Sequence, residues 1–327
     1  MGRDRNLFFL LLLTTTIAGL AACDTGPSVS GKFDRDYSVS GPIRLELNNA
    51  SGDVSITGGA DGKVHVHGEA RASGMGFANT QKRLDDTVAN PPIEQKGDTI
   101  RIGKEISSMR NISITYTIQV PHDTEVSANV ASGSQIIRDV RGPVKVQAAS
   151  GSIRVEKIDR DTQLTTASGS VSATDVGDDV QINSATGSTN VSNTKGDVRV
   201  TAISGDIQIA APGGRVEAET ASGTVEIQGA SNDLKAHAVS GRVAVRGNPA
   251  ANSYWELKTA SGGIQLNVPA AANFNLSAQA LSGEIRTDVP IMIEEQGKHS
   301  LRARMGNGGA RVDVQTVSGE IRVSGSN

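Results

Sequence analysis

A Ser-Gly pair recurs along this chain at a fixed step. Ser132-Gly133, Ser150-Gly151, Ser168-Gly169, Thr186-Gly187, Ser204-Gly205, Ser222-Gly223 and Ser240-Gly241 each stand 18 residues after the last. The step lengthens to 21 at Ser261 and Ser282, and the pair returns at Ser318 after 36, twice the period. A period of this length marks one supersecondary unit per repeat, stacked on its neighbours. It therefore points to a solenoid and away from a compact enzyme fold.

Hydrophobic residues sit at fixed offsets from each Ser. Three and five positions after it stand pairs such as Ile153/Val155, Ile207/Ile209 and Ile264/Leu266; six and four before it stand Val144/Val146, Val198/Val200 and Trp255/Leu257. The spacing of two is the strand period, and β-branched residues suit a pleated surface. Two before each Ser runs a column of small residues, including Ala148, Thr166, Ser184 and Thr220. Each coil thus holds two short strands and two turns. The second turn falls at Gly142, Gly177, Gly196, Gly214 and Asn232-Asp233, residue types that tolerate positive φ. The expected fold is an all-β, parallel β-solenoid with 18-residue coils, and the usual hand of parallel crossovers makes it right-handed. A lone coil buries too few side chains to offset the entropy of ordering it, so the coils must stack and their open ends need covers.

Two segments leave the period. Residues 75–92 place Phe77, Leu84 and Val88 on one helical face before Pro91, which predicts a short amphipathic helix over about 79–89. Residues 287–311 carry Gln296-Gly-Lys-His299 as a hairpin tip that would shield the C-terminal coils. The expected organisation is a targeting segment at 1–22, a polar tether at 23–42, and one solenoid domain at 43–327. That domain is irregular to about 125, with its first strands near Ile43–Leu47 and Val54–Ile56, and regular from 126. A split into two domains near Pro121 is the alternative.

The N-terminus supplies the address. Arg3 and Arg5 precede an apolar run from Leu7 to Leu13, and Leu20-Ala-Ala-Cys23 ends in the only cysteine of the chain. This arrangement resembles a bacterial lipobox, which implies cleavage before Cys23 and lipid attachment there. The expected location is the bacterial cell envelope, with the membrane as a partner through Cys23. Removing residues 1–22, with two Arg and one Asp, moves the net charge from −3 to −4 over 305 residues. So weak a charge gives no electrostatic case for nucleic acid.

Catalytic and cofactor chemistry finds little footing. Sugar-acting sites need clustered carboxylates and aromatic platforms. The mature chain has only seven aromatic residues, and of these Trp255 falls in an inward column while Tyr254 faces outward. The outward columns mix signs, as Asp206, Glu226 and Arg242 illustrate, without a stacked acid pair. His65-Val-His67 puts two imidazoles on one strand face, a seed for metal, but His122, His237 and His299 stand at no motif spacing from it. They read as exposed strand histidines. The turns lack the Gly-Gly-x-Gly-x-Asp of calcium β-rolls, and no phosphate loop occurs. No cofactor, metal or catalytic residue is expected. The Ser hydroxyls read as caps on turn N–H groups.

The order of three motifs adds a family likeness. Tyr116-Thr-Ile-Gln-Val-Pro121 leads into the Ser-Gly ladder; Leu266-Asn-Val-Pro269 and Leu281-Ser-Gly-Glu-Ile285 follow; Thr316-Val-Ser-Gly-Glu-Ile-Arg-Val323 closes the chain. Over residues 40–325 this resembles the bacterial β-strand-repeat family with an adhesin-like label, a domain of unknown function related to autotransporter adhesin heads. The resemblance implies an exported solenoid, often lipid-anchored, and brings no catalytic residues. The function expected is a non-enzymatic, lipid-anchored surface for adhesion or scaffolding of protein or glycan. A polysaccharide-acting enzyme is one alternative. Self-association through the terminal Ile321–Val323 strand is another.

Overall fold

A computed structural model describes residues 28–59, 62–74, 77–103 and 111–326. The proposed signal segment and Cys23 lie outside the described residues. The chain begins with β1 (Val29–Ser38), β2 (Ile43–Ser51), β3 (Val54–Gly58) and β4 (Lys63–Ala72), then α1 (Phe77–Ala89), then β5 (Ile93–Lys96), β6 (Thr99–Ile102) and β7 (Ile112–Val120). The regular body follows as alternating long and short strands. These are β8 (Thr124–Ser132), β9 (Gln135–Val140), β10 (Val144–Ser150), β11 (Ile153–Ile158), β12 (Thr162–Ser168), β13 (Val171–Val176), β14 (Val180–Thr186) and β15 (Thr189–Thr194). They continue with β16 (Val198–Ser204), β17 (Ile207–Pro212), β18 (Val216–Ser222), β19 (Val225–Ala230), β20 (Leu234–Ser240), β21 (Val243–Gly247), β22 (Tyr254–Ser261) and β23 (Ile264–Pro269). The end comprises β24 (Phe274–Ser282), β25 (Ile285–Thr287), β26 (Met292–Gln296), β27 (Ser300–Met305), β28 (Ala310–Ser318) and β29 (Ile321–Ser326).

These strands form two sheets, of 14 and 15 strands, each parallel through the body. The register follows the repeat: Val198 pairs with Val216, Val200 with Ala218 and Ser204 with Ser222. Like residues therefore stack at the strand spacing of about 4.8 Å. The inward positions, among them Val144, Val146, Ile153, Val155, Ile207 and Leu257, belong to one buried hydrophobic cluster. Trp255 is fully buried there and its Nε1–H donates to Asn232 O at 2.7 Å.

The Ser-Gly corners need glycine on two counts. Gly205 has φ of 145°, and a Cβ there would stand 2.0 Å from Gly187 O. The same overlap recurs from Gly133 to Gly241, because each glycine backbone rides on the carbonyl of the coil before it. The corner hydroxyls do not cap turn N–H groups: they are exposed, among the described residues the serines at Ser132, Ser150, Ser168, Ser204, Ser222 and Ser240 make no hydrogen bond through them, and Thr186 Oγ1 donates to Ala167 O at 3.2 Å. Threonines of the small inward column supply hydroxyls instead, with Thr259 Oγ1 donating to Gly241 O at 3.1 Å and Thr316 Oγ1 to Gly262 O at 3.2 Å.

The second corner differs from its sequence reading. Gly142, Gly177, Gly196 and Gly214 are not at positive φ; they admit a close backbone, as where a Cβ on Gly142 would sit 2.2 Å from Thr124 O. Left-handed backbone falls two or three residues earlier, on Asp139, Lys157, Asp175, Asn193 and Ala211, at φ of 50–58°. Each steps out of the ladder: Glu156 pairs with Thr174 and Ile158 with Val176, leaving Lys157 and Asp175 unmatched. Stacking fixes this geometry for whatever residue occupies the corner.

The ends depart furthest from sequence order. The segment read as a tether holds β1, which pairs antiparallel with β4 over Val29–Ala72 to Ser38–Lys63. Its alternating pattern is real but half polar, since only the inner face meets core. Phe33 lies over Gly68, where a Cβ would be 2.1 Å from its ring, and meets Tyr116 edge-on at 6.3 Å. Helix α1 covers this antiparallel pair with buried Leu84, and Gly31 leaves room for Val88. At the other end β28 runs between β22 and β24, and β29 between β23 and β25. The last coil is thus internal, and the 287–311 excursion forms the β26–β27 hairpin outside β24. Ile321–Val323 is paired on both sides and offers no free edge for self-association. The edges at this end are β25 in the 14-stranded sheet and β26 in the 15-stranded one; β26 carries Glu294 and Glu295 and a register shift, both of which blunt edge pairing.

Candidate functional site: a crease along the fifteen-stranded sheet

In every long strand the residue before the corner Ser drops out of the ladder. Ala148 pairs with Thr166 and Ser150 with Ser168, while Ala149 and Ala167 are skipped. The strand bends there, and stacking turns the bend into a crease parallel to the solenoid axis. From β2 through β24 eleven strands carry it, which spans about 50 Å at the usual strand spacing.

The crease has two walls. One is the column three before Ser: Asn129, Gln147, Thr165, Asn183 and Thr201, then Glu219, His237 and Lys258. The other is the column one before Ser, which begins as Ala131, Ala149, Ala167 and Ala185 and then enlarges. There Ile203 is 64% exposed, Val239 62%, Val317 52% and Leu281 71%, the largest apolar exposures of this sheet's corner. The N-terminal half encloses about 770 Å³ without an ionisable side chain in its lining. The C-terminal half encloses about 940 Å³ and adds the charged wall, with His299 and Gln279 beyond it.

Charges beside the crease are cross-linked between coils. Lys235 Nζ lies 3.1 Å from Glu217 and 3.0 Å from Glu219, and Arg199 Nη1 lies 3.0 Å from Glu217. Glu256 holds Lys258 and, at 3.1 Å, His237. The Lys235 hydrogen bond keeps the Glu219 carboxyl below its ordinary pKa, and the Lys258 bond does the same for Glu256. Burial pushes the His237 imidazole down, against the pull of Glu256.

Among the described residues the carboxylates form one tighter group, absent from the sequence reading. Asp161, Asp178 and Asp179 bring oxygens within 4.8 Å of one another. Its members sit at a turn where aspartates cap successive coils: Asp179 Oδ1 accepts Asp197 N–H, and Asp197 Oδ1 accepts Arg215 N–H, both at 2.8 Å. This capping column follows the 18-residue period and was legible in principle. Tyr254 lies outward as expected, donating to Asp313 Oδ2 at 3.0 Å with Arg311 5.4 Å from its ring centre. Among the described residues no helix is long and apolar enough to cross a membrane.

Comparison with known proteins bears on the whole span. A candidate cell adhesion protein from Clostridium sporogenes is 10% identical, covering 90% of this chain and 100% of that one at a TM-score of 0.21. A candidate adhesin from Bacteroides fragilis is 14% identical, with 90% and 97% covered and a TM-score of 0.34. Another from Parabacteroides distasonis is 14% identical, with 93% and 98% covered and a TM-score of 0.25. No curated protein matches the chain. The family model described as Toastrack DUF4097 matches residues 43–228 and again 178–324, so all but the N-terminal segment and the last residues are covered. The β-strand-repeat likeness read from the motifs resolves into membership: this chain belongs to the Toastrack DUF4097 family.

Proposed function

We propose that this protein is a non-enzymatic binding protein of the bacterial envelope, held to a membrane by lipid on Cys23, with the crease as its contact surface. The crease itself carries the reading. It is long and continuous, and its exposed Ile203, Val239, Leu281 and Val317 line one wall in register. The opposite column offers amides and hydroxyls through Thr201 and again at Gln279 and Gln315, and ionisable groups at Glu219, His237 and Lys258 between them. Such a surface makes many small contacts with an extended protein or glycan, and several tethered copies would strengthen them together.

The test is retention of beads coated with the full chain on purified envelope polysaccharides and on extracellular proteins. Ile203→Glu with Val239→Glu should abolish retention at an unchanged melting temperature. Retention equal to wild type would refute the crease. Cys23→Ala should move the protein from the membrane fraction to the soluble one, and continued membrane association would remove the anchor. New reducing or unsaturated ends after incubation with those polysaccharides would make the protein an enzyme instead.

A further inference from the structure

His65 and His67 belong to neither the repeat nor the crease. They project from the outer face of β4, in the other sheet. Strand β1 supplies what the sequence did not show: Asp34 sits directly across from His67, and Asp36 across from His65. Asp34 Oδ1 lies 2.8 Å from His67 Nδ1 and 3.6 Å from His65 Nε2. Asp36 Oδ1 lies 2.7 Å from His65 Nδ1. Glu69 is 3.7 Å from His67 Nε2, and Lys32 holds it at 2.6 Å.

The outer face of β4 and β1 carries three carboxylates, Asp34, Asp36 and Glu69, with Lys32 beside Glu69 and with Lys63 and Arg71 at the two ends of the row. The third strand, β7, adds only Thr115, Thr117 and Gln119 opposite Glu69, His67 and His65. In the tautomer in which His65 Nδ1–H donates to Asp36 Oδ1, the Nε2 lone pair is turned toward the Asp34 carboxylate. A carboxylate that orients a histidine through one nitrogen and frees the other is a recurrent partner of metal-binding imidazoles. Ligand atoms on a tetrahedral ion with bonds of about 2.0–2.1 Å stand roughly 3.3 Å apart; the two Asp34 contacts bracket that spacing, while the His65 and His67 nitrogens stand more than 4.8 Å apart and must turn toward each other to share an ion. Both rings are half-exposed, and the histidine ring torsion is soft, so the nitrogens can turn onto one ion.

We infer that His65, His67 and Asp34 form a surface site for a divalent transition-metal ion, with Asp36 orienting His65. Imidazole plus carboxylate suits a borderline ion such as Zn²⁺, and the exposed side leaves coordination positions for water.

Titration of the untagged full chain, in detergent, with Zn²⁺ alone at pH 7.5 tests this. One ion per chain should bind at micromolar affinity and raise the melting temperature. His67→Gln and Asp34→Asn should each weaken binding tenfold or more; His65→Gln is a further variant should either fail to fold. Binding should fade by pH 5.5, as protons displace the metal from imidazole. Asp161→Asn, in the distant carboxylate group, should leave it intact. Absence of stoichiometric binding, or binding that survives His67→Gln and Asp34→Asn, overturns the site. Loss in Asp161→Asn alone would place the ion elsewhere and overturn it equally.

Discussion

Replacing one corner glycine by alanine isolates what holds the coils at their spacing. In Gly205→Ala the added methyl would stand 2.0 Å from Gly187 O and 2.8 Å from Gly187 C. The carbonyl cannot retreat easily, because Gly187 N–H donates to Ser204 O at 3.1 Å and fixes the two coils together. Nor can Gly205 rise, since Gly223 rests on its carbonyl. Holding a non-glycine residue at φ of 145° adds strain of about 1–3 kcal/mol. Forced overlap in a packed site adds about 1–3 kcal/mol more. The expected destabilisation is therefore about 2–6 kcal/mol, concentrated at the coil it breaks, because a stacked repeat loses neighbour contacts locally. Urea denaturation should show a lower midpoint, and hydrogen exchange should quicken in β15–β18 before the ends. Ser204→Ala, whose hydroxyl bonds to nothing, serves as the matched control and should stay within about 0.5 kcal/mol. A Gly205→Ala midpoint equal to that of the control would refute the stacked-carbonyl argument.

Other outcomes follow from the same geometry. Ala211→Gly relieves a left-handed alanine at φ of 50°; about 1–2 kcal/mol of relief less the added chain entropy leaves a gain of about 0.5–1 kcal/mol, read as a raised urea midpoint. Trp255→Ala empties the largest buried side chain and orphans Asn232 O, and should cost about 3–5 kcal/mol by the same assay. Gly68→Ala should strike the Phe33 ring and lower stability by about 1–3 kcal/mol, with the loss suppressed in a Phe33→Leu background. His237 has a folded pKa below its ordinary 6.5. Its stabilising effect is complete above 6.5 and is lost as pH falls from there through the lower folded value. His237→Gln should flatten the melting temperature between pH 7 and 5, and an unchanged slope would count against the burial effect.

How much of the site could be read beforehand depends on whether its residues repeat. The two columns that wall the crease were visible as positions, yet the bend between them was not. Nothing in Ala149 or Ala167 announces that it leaves the ladder; skipping is a consequence of how seven-residue strands turn a corner over a thin core. Lys157 and Ala211 likewise hold positive φ because their neighbours above and below do, against their own preferences. The His65 and His67 pair is legible in the chain, but its acidic partners, Asp34 and Asp36, lie in a stretch whose half-polar alternation does not distinguish an edge strand from a tether.

The period of hydroxyl, glycine and paired β-branched residues determined the coil, its two strands, its inward columns and its corner glycines. It could do so because parallel stacking sets each residue against its own counterpart, and a repeated sequence repeats its neighbours. Only the tertiary structure decided the ends: β1 crossing onto β4, and the last coil slipping between β22 and β24. Those pairings join unlike segments, whose register depends on how a sheet edge is best covered and leaves no periodic trace in the chain.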